Sequence, residues 1–122
     1  MERTAEPEAL ARVREEFRRT FDLHRAIGNE LEFCRRLRDC GSQQALATLA
    51  DEAELRARAL GNGLSEVREK IASLQDGRLR AVMEARYLNL HTFDEIADIL
   101  YYSRRHVVRL HKKALSVIAY AD

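Results

Sequence analysis

Proline and glycine, the residues that most often interrupt helices, are rare in this chain. Its 122 residues include one Pro and five Gly, whereas 34% are charged. This composition is typical of proteins built from long helices. It indicates an all-α chain, with a length that suits one domain or a small domain with an extended helical arm.

Cysteine is scarce, and long apolar runs do not occur. Cys34 and Cys40 lie six positions apart, which is neither a zinc spacing nor a redox pair, and this spacing places them on different faces of a helix. We expect reduced thiols and a cytoplasmic protein. No apolar run approaches the ~20 residues of a membrane span, and the N-terminus has no signal-peptide pattern, so no membrane partner is expected.

The groupings that catalysis requires are also missing. The sequence has no Gly-rich phosphate loop and no Ser/His/Asp arrangement that a helical layout would assemble. His106 and His111 are five positions apart, which is not the i,i+4 spacing of a helical zinc pair. We therefore expect no enzyme activity, no cofactor, no metal and no small-molecule substrate.

Charge is nearly balanced overall but is unevenly distributed. The formal net charge is +1. Residues 1–75 hold 13 Lys/Arg and 14 Asp/Glu, a net charge of −1, whereas residues 76–122 hold 8 and 6, a net charge of +2. Residues 103–121 alone carry +5, because they contain five Lys/Arg and no acid. Attraction to nucleic acid is therefore expected to be local.

Apolar residues recur every three or four positions along two long segments. The first runs from about Thr4 to Asp39, and its stripe comprises Leu10, Val13, Phe17, Phe21, His24, Ile27, Leu31, Cys34 and Leu37. The second runs from about Gln43 to Leu74 with spacings that alternate between four and three, at Leu46, Ala50, Ala53, Ala57, Leu60, Leu64, Val67, Ile71 and Leu74. This heptad pattern is typical of a coiled coil.

A stop signal, Asp39-Cys40-Gly41-Ser42, separates the two segments. Gly61-Asn62-Gly63 weakens the second segment, but Leu60 and Leu64 keep the phase, so we expect one continuous helix there. The sequence thus predicts an antiparallel two-helix coiled-coil hairpin over residues 1–75. Since two helices bury little core, we expect a homodimer through these N-terminal helices.

Residues 76–122 have the pattern of a trihelical helix-turn-helix domain. Asp76 is placed to cap a helix of about Gly77 to Asn89, whose inner face comprises Leu79, Val82, Met83, Tyr87 and Leu90. Thr92 and Glu95 have capping-box spacing ahead of a short helix with the apolar face Ile96, Ala97, Ile99 and Leu100. The helical pattern is interrupted at Tyr101-Tyr102-Ser103, and Ser103 is placed to cap the last helix.

The last helix combines an apolar stripe with a basic face. The stripe is Val107, Leu110, Ala114 and Ile118. The opposite side carries Arg104, Arg105, Arg109, Lys112 and Lys113, with His106 and His111 nearby. A basic face without acids suits phosphate neutralisation and contact with base edges. It predicts binding to double-stranded DNA, although a charged helix face is often only a solvated surface, and helix-turn-helix geometry also occurs in proteins that never touch DNA.

Two other features of this region carry an alternative interpretation. Asp94 and Asp98, one turn apart on the short helix, are interpreted as a solvated face, with an acidic patch that meets polymerase or repels misplaced DNA as the alternative. For Tyr101, Tyr102 and Tyr120 we expect packing in the core or the turn, with stacking on bases as the alternative.

The stretch Leu74 to Leu115 resembles the C-terminal helix-turn-helix of sigma factors of the sigma-70 class, which binds the −35 element. It is more similar still to small phage late-gene regulators of the ArpU/RinA-like group, which carry a helical arm before a sigma-like domain. The matching residues are Arg86-Tyr87-Leu88, Thr92, Glu95-Ile96-Ala97, Leu100, Tyr102-Ser103, Val107, Leu110-His111 and Lys113-Ala114-Leu115. Carried over by position, the resemblance implies that Arg104, Arg105, His106 and Arg109 face the major groove, and that Lys112 and Lys113 lie on phosphates.

Two positions depart from the sigma pattern. Tyr101 stands where the turn usually has Gly, and a slight difference in turn geometry is expected, because a positive φ costs a non-Gly residue on the order of 1 kcal/mol. Arg105 stands where a Glu is common, so an acceptor for cytosine has become a donor for guanine or phosphate. No segment resembles the −10-binding domain of a complete sigma factor, so the chain is not expected to open promoters by itself.

These observations predict a phage or prophage transcriptional regulator that binds duplex DNA in the major groove through helix 103–121. Its expected DNA-binding residues are Ser103, Arg104, Arg105, His106, Arg109, Lys112 and Lys113. Contact with RNA polymerase is implied by the resemblance only. Two alternatives remain: a DNA-packaging protein of the small-terminase kind, which predicts large rings, and a structural coiled-coil protein, which predicts no salt-dependent DNA affinity.

Overall fold

The computed structural model describes residues 7–40 and 44–121, and no strand occurs within them. Its helices are α1 (Glu8–Asp39), α2 (Gln44–Ala72), α3 (Gly77–Met83), α4 (Phe93–Leu100) and α5 (Arg104–Ala119), with a π-helical turn at Glu84–Leu88 after α3. The predicted all-α class is confirmed. The expected helix starts at Thr4 and Gln43, and the stop signal at Gly41-Ser42, lie outside the described residues.

The chain divides into two compact units. One consists of residues 20–66 and contains most of α1 and α2. The other joins the first part of α1, up to residue 19, with residues from 67 onward. The second unit therefore includes the end of α2 together with α3, α4 and α5. The predicted domain boundary between residues 75 and 76 stays a prediction, because packing does not test which segment folds alone.

In residues 20–66, α1 and α2 run antiparallel. Arg38 pairs with Asp51 (Nη2 to Oδ1, 3.2 Å), and Glu30 pairs with Arg56 (Nε to Oε1, 3.1 Å). As the residue number falls along α1, that of its partner rises along α2. Cys34 is buried between the helices with Ala50 and Ala53. The predicted antiparallel hairpin is confirmed.

The seam residues of α2 behave largely as the heptad pattern predicts. Ala50, Ala53, Ala57 and Leu64 are buried, and α2 continues without a break through Gly61-Asn62-Gly63, as expected. A Cβ on Gly63 would lie 3.0 Å from Leu23 Cδ1, so glycine allows α1 and α2 to approach closely there. On α1, the expected burial of Leu31 is wrong: its side chain is 49% exposed.

The unit that contains the C-terminal helices has one apolar core. Both α3 and α4 pack against α5, which confirms the predicted trihelical arrangement. Phe17 of α1, Val67 and Ile71 at the end of α2, and Leu74 just after α2 are buried within this unit as well. The core around α5 therefore recruits residues from the start and the middle of the chain.

The third helix departs from its predicted form. We expected one helix from Gly77 to Asn89, but α3 ends at Met83, and Glu84–Leu88 form a π-helical turn. The Asn89 N–H donates to Glu84 O at 3.0 Å, and the His91 N–H donates to Ala85 O at 2.9 Å. Leu90 has a left-handed backbone (φ 60°) and is exposed, so its predicted place on the inner face is wrong. The chain has left the helical phase before Leu90, which redirects its side chain.

None of the described helices combines the length and the apolar character that a membrane span requires.

Candidate nucleic-acid interface

The start of α4 is fixed by the predicted capping box. The Glu95 N–H donates to Thr92 Oγ1 at 3.1 Å, and the Thr92 N–H donates to Glu95 Oε1 at 2.8 Å. These bonds satisfy backbone donors that a helix start leaves without partners. Ile96 and Ala97 are buried as expected. Ile99 is 52% exposed, so its predicted place on the apolar face is wrong.

The turn between α4 and α5 has Tyr101 in the left-handed conformation, with φ 59° and ψ 40°. Its N–H and that of Tyr102 both donate to Ala97 O, which closes α4. The backbone thus adopts the conformation that glycine favours. Because Tyr101 has a Cβ, this conformation costs about 1 kcal/mol of local strain. The Tyr101 side chain is 94% exposed, so the expected packing of this ring in the core or the turn is wrong.

Ser103 caps α5 as predicted. Its Oγ accepts from the His106 N–H at 3.1 Å. Val107, Leu110 and Ala114 are buried against the rest of the unit, and Leu115 joins them. This stripe fixes the rotation of α5, because a helix with one buried face must present the other to solvent.

The solvent side of α5 is basic. Arg105, Arg109, Lys112 and Lys113 are exposed. A shallow groove on this side is lined by Arg105, Val108, Arg109 and Lys112. Within the described part of the chain, Arg105, Lys112 and Lys113 make no side-chain hydrogen bond or ion pair. Their charges therefore remain available to a polyanion.

Arg104 is held differently from the other basic residues. Its Nε lies 3.1 Å from Asp94 Oδ1, and its guanidinium lies 5.9 Å from the centre of the Phe93 ring. Asp94 is 79% exposed, which agrees with the predicted solvated carboxylate, but the carboxylate also neutralises one arginine of the interface. The expected contact of Arg104 with the major groove stays a prediction.

His106 connects the turn to the basic side of α5. Its ring meets the ring of Tyr102 edge to face, with 4.7 Å between centroids and 73° between planes. One turn further along, Arg109 Nη2 lies 3.1 Å from His106 Nδ1. His106 is only partly exposed, so it lies at the margin of the interface.

His111 is buried, although the sequence had placed it near the basic face. Its Nε2 lies 2.6 Å from the Tyr87 hydroxyl, and its ring and the Phe93 ring meet edge to face with 5.1 Å between centroids. Burial, together with the positive charges of Arg86, Arg14 and Lys112, lowers the pKa of His111 to about 4. A neutral His111 is thus part of the core. Its position four residues after Val107 and three before Ala114 was the signal for this, because both are stripe residues.

The Tyr87 ring extends this buried contact toward α1. It stacks on His111 with 5.6 Å between centroids and meets Phe17 edge to face at 5.0 Å. Burial also raises the pKa of the Tyr87 hydroxyl. Phe17, Tyr87, His111 and Phe93 form what we call the aromatic cluster, which holds α5 against the residues that precede it.

Comparison with known proteins agrees with this geometry. Residues 72–118 match the family described as Sigma-70, region 4, and these residues span α3, the π-helical turn, α4 and nearly all of α5. No curated protein and no solved structure matches the chain. The match supports a sigma-70 region 4-like helix-turn-helix over residues 72–118, and the matched family is one of DNA-binding domains.

Proposed function

We propose that the chain is a transcriptional regulator that inserts α5 into the major groove of duplex DNA. The observation that carries the proposal is the basic side of α5, where Arg105, Arg109 and Lys112 line one groove on a helix that buries Val107, Leu110, Ala114 and Leu115. The family match at residues 72–118 supports it independently. Because the net charge of the whole chain is only +1, electrostatic attraction would depend on local basic surfaces such as this one.

The proposed contacts divide by chemistry. Arg105 and Arg109 lie toward base edges, where a guanidinium pairs with guanine O6 and N7. Lys112 and Lys113, further along α5, lie on phosphates, together with the Ser103 end of the helix. Arg104 would reach the major groove on leaving Asp94, and His106 lies beside Arg109.

We further propose that the N-terminal helices join two copies of the chain. Residues 20–66 expose the large apolar side chains Leu31, Phe33, Leu49 and Leu55. A hairpin of two helices has a small core, and a second copy would cover part of this surface. A dimer would present two copies of α5 to two half-sites of an operator. A phage or prophage origin and contact with RNA polymerase belong to the same proposal and rest on the resemblance to late-gene regulators.

Substitutions on α5 test the DNA-binding surface. Arg105→Ala and Arg109→Ala should each weaken specific binding by ~1–3 kcal/mol, with less change in non-specific binding. Lys112→Ala should weaken binding to all sequences and lower the slope of log K against log salt by about one. Arg58→Ala in the hairpin removes the same charge from an exposed position and serves as the control. If all three α5 variants bind like the control, the assigned surface is wrong.

Light scattering on the free protein tests the assembly. A dimer supports the regulator, whereas a large ring supports a DNA-packaging protein. The absence of any salt-dependent affinity for duplex DNA would instead favour a purely structural protein.

A further inference from the structure

Tyr102, His106 and Arg109 form a continuous series of contacts from the turn to the basic side of α5. The Tyr102 and His106 rings meet edge to face at 4.7 Å, and Arg109 Nη2 lies 3.1 Å from His106 Nδ1. A guanidinium has donors and no acceptor, so Arg109 donates and His106 Nδ1 accepts. The neutral imidazole proton is therefore on Nε2.

This hydrogen bond distinguishes Arg109 from Arg105. Among the described residues, Arg105 has no side-chain hydrogen bond or ion pair that would order its long side chain before a ligand binds. Ordering an arginine side chain costs up to about 2 kcal/mol of conformational entropy. The hydrogen bond to His106 already orders part of the Arg109 side chain before binding. Less conformational entropy is then lost when Arg109 meets a base, so the contact adds more to the affinity.

The bond leaves Arg109 able to contact a base. It uses one of the five N–H groups of the guanidinium. The Nη1 hydrogens and the second Nη2 hydrogen remain, which suffices for the two parallel bonds that a guanine accepts at O6 and N7. His106 thus restricts the direction of the guanidinium without occupying the edge that recognises the base.

We propose that His106 is a positioning residue that aims Arg109 at one guanine of the operator, and that Tyr102 fixes the plane of the His106 ring. The inference rests on the proposed function, because it concerns how the same surface distinguishes bases. In this arrangement the turn of the motif influences base preference without itself contacting DNA. Arg105 contributes attraction to the DNA but discriminates less strongly than Arg109 between bases.

Two substitutions of His106 separate the hydrogen bond from the packing. His106→Phe keeps a ring against Tyr102 but removes the acceptor. His106→Asn removes the ring but places a carbonyl oxygen close to the position of Nδ1. Both keep the backbone N–H that bonds to Ser103, so the cap of α5 is preserved. His106→Leu replaces His106→Phe if the latter unfolds, as judged by circular dichroism.

The experiment begins with selection of bound duplexes from a random pool using the unchanged protein and Arg109→Ala. The base pair whose preference disappears in Arg109→Ala identifies the position that Arg109 contacts. Competition binding then measures the preference for guanine at that position. We expect a loss of about tenfold in His106→Phe, little loss in His106→Asn, and the same salt slope in both. His106→Phe combined with Arg109→Ala should lose no more than Arg109→Ala alone.

The outcomes separate this inference from the proposed function. If the unchanged protein selects a sequence and Arg109→Ala alters one position, but His106→Phe keeps the full preference there, the positioning role is wrong and the DNA-binding function stands. Equal losses in His106→Phe and His106→Asn would also overturn it, because packing rather than the acceptor would then matter. If the unchanged protein shows no salt-dependent duplex binding, both proposals fail.

Discussion

The Tyr87 hydroxyl lies 2.6 Å from Nε2 of His111 in the core beneath the basic side of α5. The hydrogen bond between these two side chains joins the π-helical turn to α5, and it gives each buried polar atom a partner. Because burial and nearby positive charges lower the pKa of His111 to about 4, the folded protein binds a proton there only at a pH well below 6.5. The unfolded chain, in which a histidine has a pKa near 6.5, binds this proton at a higher pH than the folded protein does.

The free energy of unfolding should therefore fall as the pH falls. The contribution of His111 is fully present above pH 6.5 and is lost as the pH falls from 6.5 toward 4, because the unfolded state then holds the additional proton. Between pH 7.5 and 5 the loss should be about 2 kcal/mol. Urea denaturation across this range measures it. His111→Gln cannot titrate and should show a flatter profile; an equally steep profile would assign the effect to other groups.

Asp94→Asn should increase the affinity for duplex DNA of any sequence by several-fold. The substitution removes a negative charge beside the interface and releases Arg104 for contact with the DNA, so the salt slope should steepen by up to about one. Stability should change by less than about 0.5 kcal/mol, because both side chains are largely exposed. Electrophoretic mobility shifts at several salt concentrations provide the measurement.

Asp98→Asn is the matched control for Asp94→Asn. It makes the same charge change one turn along α4, and Asp98 has no ion pair in the described part of the chain. If both variants gain equal affinity, the gain comes from net charge and not from the release of Arg104.

Tyr101→Gly should stabilise the fold by up to about 0.5 kcal/mol. Glycine adopts the left-handed conformation of this turn without strain, although its greater freedom in the unfolded chain offsets part of the gain. Chemical denaturation compares it with Tyr101→Ala, which removes the exposed ring but keeps a Cβ. A similar gain in Tyr101→Ala would show that the ring, and not the backbone conformation, is unfavourable.

Replacing Gly61 or Gly63 of α2 with alanine should change the stability of the fold by unequal amounts. A Cβ on Gly61 meets nothing within 4 Å, so Gly61→Ala should gain up to about 1 kcal/mol from helix propensity. A Cβ on Gly63 would lie 3.0 Å from Leu23 Cδ1, so that leucine must move and the gain should be smaller by at least about 0.5 kcal/mol. Thermal unfolding compares the two. Equal gains would mean that α1 and α2 are less closely packed at this point.

The parts of the fold that local sequence determines were predictable. The capping box at Thr92 and Glu95, the Ser103 cap and the heptad seam of α2 depend on residues within a few positions of one another. The hairpin followed from the same periodicity, because two long amphipathic helices joined by a short connection pair in antiparallel fashion.

The features that were missed depend on contacts between distant residues. The burial of His111 against Tyr87 requires the π-helical turn, which the continuous helical periodicity of residues 77–89 concealed. Likewise, the pairing of Arg104 with Asp94 depends on how α4 and α5 cross. A helical wheel of α5 predicts its basic side, but it does not show which arginine of that side is already engaged.

The edge-to-face contact of Phe17 with Tyr87 has a consequence for how the protein folds during synthesis. The two residues are seventy positions apart in the chain. At roughly 5–20 residues per second, the ribosome makes Tyr87 several seconds after Phe17. Helices form and pair far faster than this. The α1–α2 hairpin would thus assemble first with the apolar side chain of Phe17 still uncovered, and the core that orients α5 would close only after α5 itself has been made.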